Sequence, residues 1–386
     1  MKTGEEIART FSEKLRYYRK QSGLTQEDLG AAISYTGKAV SKWEQGTVVP
    51  PVEVLVAIAD FFNISLDDLV GYYLPPVYYL GIDGGSSRTV FALANEAGEI
   101  IQTLTLGSSN PMDLGIQKAA EILDEGLKKI TEGIPRRKIS MFAGISGSAT
   151  NDFRLQLKRF FDSYGFARAQ NHGDIYNAMN VALPKSDGIV MRMGMSSCVL
   201  SKCKGEVKVI GGFGYLFEQG GSAYEIGNEA VKAAGMMEDG FGEKTVLLSY
   251  ICKELGFESV RKQMPYFYTI GKGGIASLSA VVFKAYKEKQ DKVARNILKR
   301  NMACAARMIV TASKNFEENK QKGIPIRVVL EGSLIKESEI LKPMLLQEIS
   351  RLDDLKYYDI SEYAGETFYG ALYGAGMPMK EDGKGN

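Results

Sequence analysis

Cysteine, histidine and tryptophan are scarce in this 386-residue chain, which holds four, one and one of them. Cys198, Cys203, Cys252 and Cys304 lack the spacing of a zinc site or a disulfide framework, and they are not clustered as an iron–sulfur ligand set would be. A reducing, cytoplasmic setting is therefore expected. No apolar run approaches the roughly 18 residues of a membrane span, and no signal peptide opens the chain, so a membrane is not among the expected partners. An excess of either charge is also missing: 48 Lys and Arg face 46 Asp and Glu, a net charge of +2. That excludes a protein that coats nucleic acid along its whole surface, so any such contact must be local. With 45% hydrophobic residues, the chain has material for two or three domains with real cores.

The first seventy residues read as five short helices. Ile7, Phe11, Leu15 and Tyr18 recur at helical spacing before a break at Ser22-Gly23. Thr25 suits an N-cap for a helix over residues 26–33, and a third helix follows Thr36 and runs to Glu44 before Gly46 stops it. Pro50-Pro51 opens a helix carrying Val54, Leu55, Ile58, Ala59 and Phe62, and Ser65 caps a last one over residues 66–70. The strings LTQEDLG, AVSKWEQG and LVAIADFFNISLDDLVG resemble the Cro/phage-repressor helix-turn-helix family over residues 7–71. That resemblance implies double-stranded operator DNA as a partner. Thr25, Gln26 and Thr36 would meet it near helix N-termini, while Lys38, Ser41 and Lys42 would face the major groove and Trp43 would be core. Residues 1–73 carry eight basic and ten acidic side chains, so Arg16, Arg19, Lys20, Lys38 and Lys42 are expected to form a local basic patch. Gly71 to Pro76, with two prolines, reads as a short stiff linker.

Beyond it, residues 77–82, 89–94 and 100–106 are β-rich and broken by turns, which predicts three antiparallel strands. The first bend, Gly81-Ile82-Asp83-Gly84-Gly85-Ser86-Ser87-Arg88-Thr89, combines an acid, glycines and hydroxyls, a mixture suited to phosphate. A helix with Leu114, Ala119, Leu123, Leu127 and Ile130, a strand over 139–143 and a helix over 153–164 follow. Asp174 then stands at the start of a further helix, where an acid is also favoured by the helix dipole alone. From Gly188 the strand, glycine-serine loop, strand, turn, strand pattern repeats, so two similar halves are expected to face each other across a cleft. A strand over 327–330 ends in Glu331-Gly332-Ser333 before another helix.

These segments resemble the actin-like sugar-kinase superfamily, and within it the N-acetylglucosamine kinase and BadF/BcrA-type ATPase branch, over residues 77–378. The motifs are GIDGGSSRT, GSSNP, NHGDIYNAM, GIVMRMGMSSCVL, GGFGYLFEQGGSAYEIG and VVLEGSLIKESEILKPML. The fold so implied is α/β: an all-α helix-turn-helix domain at 1–73, then a two-lobed actin-like (ribonuclease H-like) fold. Lobe I would span 77–185 with a C-terminal helix at 362–378, and lobe II 186–361. The resemblance implies ATP and Mg²⁺ as cofactors, with Asp83 organising the metal. Gly84, Gly85, Ser86, Ser87, Arg88 and Thr89, with Gly194, Ser196 and Ser197, would hold phosphates, and Gly332 and Ser333 would line the adenosine pocket. Asp174 would be the general base for a sugar hydroxyl, and Asn110, Gly212, Gly214 and Gln219 would hold a sugar or amino sugar. Two positions depart from the family pattern. Met195 and Ser196 stand where the second phosphate loop reads Thr-Gly, and Gln219 stands where the sugar segment carries a carboxylate. The expectation is a ligand-responsive regulator that binds its operator as a homodimer, the enzymatic alternative being an ATP-dependent amino-sugar kinase.

Overall fold

The computed structural model describes residues 4–62, 64–71, 77–149 and 151–379. The chain divides into two compact units that meet at residues 76 and 77. The expected linker falls almost wholly on residues 72–76, which lie outside the described residues.

The first unit is helical: α1 (Gly4–Gln21), α2 (Gln26–Ala32), α3 (Gly37–Glu44), α4 (Val52–Phe61) and α5 (Leu66–Val70). Thr25 closes a capping box with Asp28, Thr36 caps α3 through the Ala39 N–H, and Ser65 caps α5 through the Asp68 N–H. Phe11, Leu15, Leu29, Val40, Trp43, Ile58 and Leu69 make the core. The α2–α3 turn is so close that a Cβ on Gly30 would sit 2.8 Å from backbone atoms of Tyr35, Thr36 and Gly37, so the turn needs glycine there.

The second unit is built from two sheets of the same topology. β1 (Tyr78–Gly84), β2 (Arg88–Asn95), β3 (Ile100–Gly107), β4 (Ile139–Ile145) and β5 (Arg168–His172) lie in the order β3-β2-β1-β4-β5. β6 (Gly188–Met193), β7 (Ser197–Cys203), β8 (Glu206–Gly211), β9 (Ile326–Glu331) and β10 (Tyr358–Tyr363) lie in the order β10-β9-β6-β7-β8. In each sheet the first strand pairs antiparallel with the second and parallel with the fourth. This is the internal repeat expected from the two glycine-serine loops, and the α/β fold is the actin-like one. The outer faces bury Leu123, Leu127, Leu157 and Phe161 in the first lobe, and a larger helical block between Ala223 and Gln321 in the second.

Each inner face is covered by a helix that arrives from the other lobe. The helix Ile175–Ala182 leaves β5 and packs Ala178, Met179 and Ala182 against Val190, Leu200 and Val329 of the second sheet. The helix Phe368–Gly374 follows β10 and packs Ala371 and Leu372 against the first sheet. The two helices touch where a Cβ on Gly370 would lie 1.8 Å from the Asn177 carbonyl oxygen. This last helix, expected at 362–378, runs over Phe368–Gly374, and residues 358–363 pair with β9 as an edge strand instead.

Candidate functional site

In the helical unit, Lys38 and Lys42 are exposed on α3 with Ser41 half-buried between them, and the exposed Gln45 follows, its amide 3.3 Å from the Ser41 hydroxyl. Thr25 and Thr36 are exposed caps. Gln26 and Arg19 also serve the core of the unit. The acid at the end of α3, Glu44, is buried, and Arg19 (2.6 and 2.9 Å) and Gln26 (2.9 Å) both donate to its carboxylate. Burial raises the Glu44 pKa, but the bonds from Arg19 and Gln26 and the charges of Arg19 and Arg16 outweigh it and hold the group below its ordinary range. A buried carboxylate takes these donors because leaving it unpaired would cost more than losing them from the surface. Arg16, whose side chain is 52% exposed, and Lys20, Lys38 and Lys42 therefore remain as the exposed cations of the expected patch.

In the second unit the candidate residues collect at the carboxyl ends of β1, β4, β5, β6 and β9. Asp83 stands next to the end of β1, where Asn177 Nδ2 donates to its Oδ1 (2.6 Å) and Thr367 Oγ1 to its Oδ2. Burial pushes the Asp83 carboxyl up, against those two bonds and the nearby Arg192 charge. The bend that follows is packed with hydroxyls. Ser86 Oγ lies 3.3 Å from Ser146 Oγ and accepts from Asn110 Nδ2 (3.1 Å), while Thr89 donates to Ser109 (2.8 Å). Gly85 donates its N–H back to the Arg88 carbonyl, and the Arg88 side chain leans outward to Glu366 at 3.6 Å. Gly84 lets Ser109 approach, since a Cβ would stand 2.6 Å from the serine hydroxyl. Ser87 is exposed. Asn110 caps the short helix Pro111–Leu114 through the Met112 N–H, so both ends of its amide are engaged within lobe I.

Across from this bend, the loop between β6 and β7 carries Gly194, Met195 and Ser196 and runs into Ser197, the first residue of β7. Its Ser197 N–H donates to Glu218 Oε2 (3.1 Å), and the Ser197 hydroxyl donates to the Gly220 carbonyl (2.8 Å). An internal carboxylate thus occupies an amide that the expected phosphate site would use. Burial pushes the Glu218 carboxyl up to about 7, and its Oε1 is buried with no hydrogen-bond partner among the described residues. Gly332, at φ +113°, packs against Met193 and Gly194, and Ser333 beside it is exposed. Gly212 (φ +75°) and Gly214 (φ +84°) lie in a loop that exposes Phe213, Leu216 and Phe217, and Gln219 is exposed at its end.

Asp174 stands at the head of the helix Ile175–Ala182 but makes no capping bond. Its carboxylate pairs with Arg192 on β6, and Arg192 Nε also donates to Glu331 at 2.9 Å. The three side chains are only 24%, 13% and 9% exposed. Burial works against the Arg192 charge, but Asp174 and Glu331 outweigh it and raise its pKa well above its ordinary value. The sequence signal for Arg192 was available: a lone charge inside the apolar strand Ile189-Val190-Met191-Arg192-Met193. Asn177, Glu218 and Lys272 carry no comparable local mark. The single histidine, His172, stacks between Phe142 (5.7 Å) and Tyr176 (4.5 Å), and burial lowers its pKa.

Residues 80–372 match the model of the BadF/BadG/BcrA/BcrD ATPase family, and residues 15–69 match a helix-turn-helix model. The chain is 30% identical over 230 residues to the N-acetylmuramic acid/N-acetylglucosamine kinase of Clostridium acetobutylicum, covering 58% of this chain and 74% of that one. A solved candidate N-acetylglucosamine kinase from Chromobacterium violaceum superposes with a TM-score of 0.61 at 20% identity, over 78% of this chain and 99% of that one. A solved ROK family transcriptional regulator, described as a homologue of the E. coli MLC protein, superposes with a TM-score of 0.52 at 12% identity. It covers 97% of this chain and 96% of its own.

Proposed function

The chain belongs to the BadF/BadG/BcrA/BcrD ATPase family, and from that membership, joined to its helix-turn-helix unit, we propose that it is a ligand-responsive transcriptional regulator. The helical unit reads operator DNA as part of a homodimer, and the kinase-like unit senses a sugar or amino sugar, with or without ATP beside it. The observation that carries the reading is the Asp174–Arg192–Glu331 chain. A general base needs a lone pair within hydrogen-bond reach of the substrate hydroxyl. Here Oδ2 of the candidate base is taken by a guanidinium that a second acid holds in place, so only Oδ1 is open to a sugar hydroxyl and the carboxylate's charge is already partly met by Arg192. A sensor tolerates this, because it needs only different affinities in its two arrangements, whereas phosphoryl transfer needs its reacting atoms in line.

The polar bends fit a nucleotide's phosphates in part. Gly84, Gly85 and Ser86 form a hydroxyl-lined bend, but on the opposite side Glu218 must leave the Ser197 N–H before a phosphate can use it. No group of three potential ligands surrounds Asp83 among the described residues, so a magnesium ion there would take most of its ligands from water and from the phosphates themselves.

The test is a coupled assay with ATP and Mg²⁺ on N-acetylglucosamine and N-acetylmuramic acid. Turnover is expected at least a hundredfold below the ordinary ~1–100 s⁻¹ of kinases. Turnover inside that range, abolished by Asp174→Asn, would make the protein an amino-sugar kinase first.

A further inference from the structure

Lys272 is absorbed by none of the roles above, yet it reaches into the middle of the candidate site. It lies in the segment Gly271-Lys272-Gly273-Gly274 at the start of a short helix in lobe II, where Gly271 adopts φ +68°. Its Nζ crosses to lobe I, pairs with Asp113 and lies 3.3 Å from the Ser86 hydroxyl of the first polar bend. The Tyr215 ring lies 5.7 Å from the ammonium. The same helix borders the second loop, since a Cβ on Gly273 would stand 3.8 Å from Met195 Cε. The ammonium therefore lies against the first of the two loops read as phosphate sites, on a helix that borders the second, with its side chain only 18% exposed.

An ammonium has three donors, and among the described residues two are used, on Asp113 and Ser86. The acceptor it holds most strongly belongs to a carboxylate that is itself 28% exposed and so can be rehydrated when released. A purely structural strap between lobes would be expected to sit away from the site or to be fully satisfied. A cation kept beside the Ser86–Ser146–Asn110 cluster, on a partner that can be rehydrated, is arranged to exchange one oxyanion for another.

We propose that Lys272 is the oxyanion contact of this site, held on Asp113 until a phosphate or carboxylate group of the bound ligand takes that place. The proposal rests on the reading of the site as a ligand pocket. It adds that the ligand set includes an anion, either the terminal phosphate of a nucleotide or an acidic substituent of the sugar. It also gives the ligand a structural consequence: when the anion takes over Lys272, the Lys272–Asp113 strap between the lobes is broken.

Titration calorimetry on the full chain decides it, with four probes: N-acetylglucosamine, N-acetylglucosamine 6-phosphate, N-acetylmuramic acid, and ATP with Mg²⁺. At least one anionic probe is expected to bind and to weaken about 10–100-fold in Lys272→Met, the range of a hydrogen bond to a charged group. Lys272→Arg should restore part of that loss, and Asp113→Asn should tighten the same probe. N-acetylglucosamine should change less than about twofold in each variant. Loss confined to ATP assigns the anion to the nucleotide, and loss confined to a sugar derivative assigns it to the sugar. An anionic probe that binds Lys272→Met as tightly as wild type overturns the proposal, as does an equal loss for the neutral sugar, which marks a structural strap. Binding of the neutral sugar alone overturns it while leaving the pocket reading intact. If no probe binds wild type, both fall together.

Discussion

Replacing Lys38, Ser41 and Lys42 together with alanine is expected to lower affinity for a duplex selected from a random pool by about 10³-fold, to the level of non-specific binding. Lys38 and Lys42 are exposed on α3, and Ser41 lies between them. Each well-formed base contact contributes about 1–3 kcal/mol of discrimination. Three losses together are therefore large enough to erase a specific complex. The fold should survive, because the residues that anchor α3 are Val40, Trp43 and Glu44, all buried and all left in place. The exposed Lys20 supplies the contrast: Lys20→Ala should weaken all duplexes alike and lower the salt slope by about one. Gel retardation of the selected and scrambled duplexes checks both. A triple variant that still selects the same sequence would place base reading elsewhere.

The second large effect concerns stability. Arg192→Met should cost the kinase-like unit about 3–5 kcal/mol, because it leaves the Asp174 and Glu331 carboxylates mostly buried without their shared cation. Neutralising those acids as well, with Asp174→Asn and Glu331→Gln, should recover most of the loss, since replacing a whole buried ion group by neutral residues is often close to neutral in stability. Urea denaturation measures both, the midpoint moving while the slope is kept. A loss under about 1 kcal/mol would resemble an exposed pair. Asp174 would then be free of Arg192 in solution, and the argument against its acting as a base would fail with it.

Much of the architecture is legible from local chemistry. Capping residues Thr25, Thr36 and Ser65 mark the helix starts of the first unit, and the strand–glycine–strand pattern repeated at Gly84 and Gly194 marks two halves of one fold. What escapes is decided by partners far away in sequence. The edge strands β5 and β10 are short and only partly buried, with residues such as Arg168, Gln170, Asp359 and Glu362, so neither shows the apolar run of an interior strand. Gln26 reads as a phosphate contact at a helix start, and nothing local shows that its amide also reaches the buried Glu44, eighteen positions on. Glu218 and Lys272 are ordinary surface residues by type. Only the folded chain carries one to the Ser197 N–H and the other across to Ser86 and Asp113.

The central claim is that DNA reading and sugar sensing are coupled in one molecule. The direct measurement is fluorescence anisotropy of the selected duplex titrated with the full chain, alone and with a sugar from the calorimetric set at a concentration that saturates its site. The account predicts that the sugar changes the duplex Kd by about 5–150-fold, the range of an ordinary allosteric coupling. A duplex Kd that stays the same with the sugar site filled would contradict it.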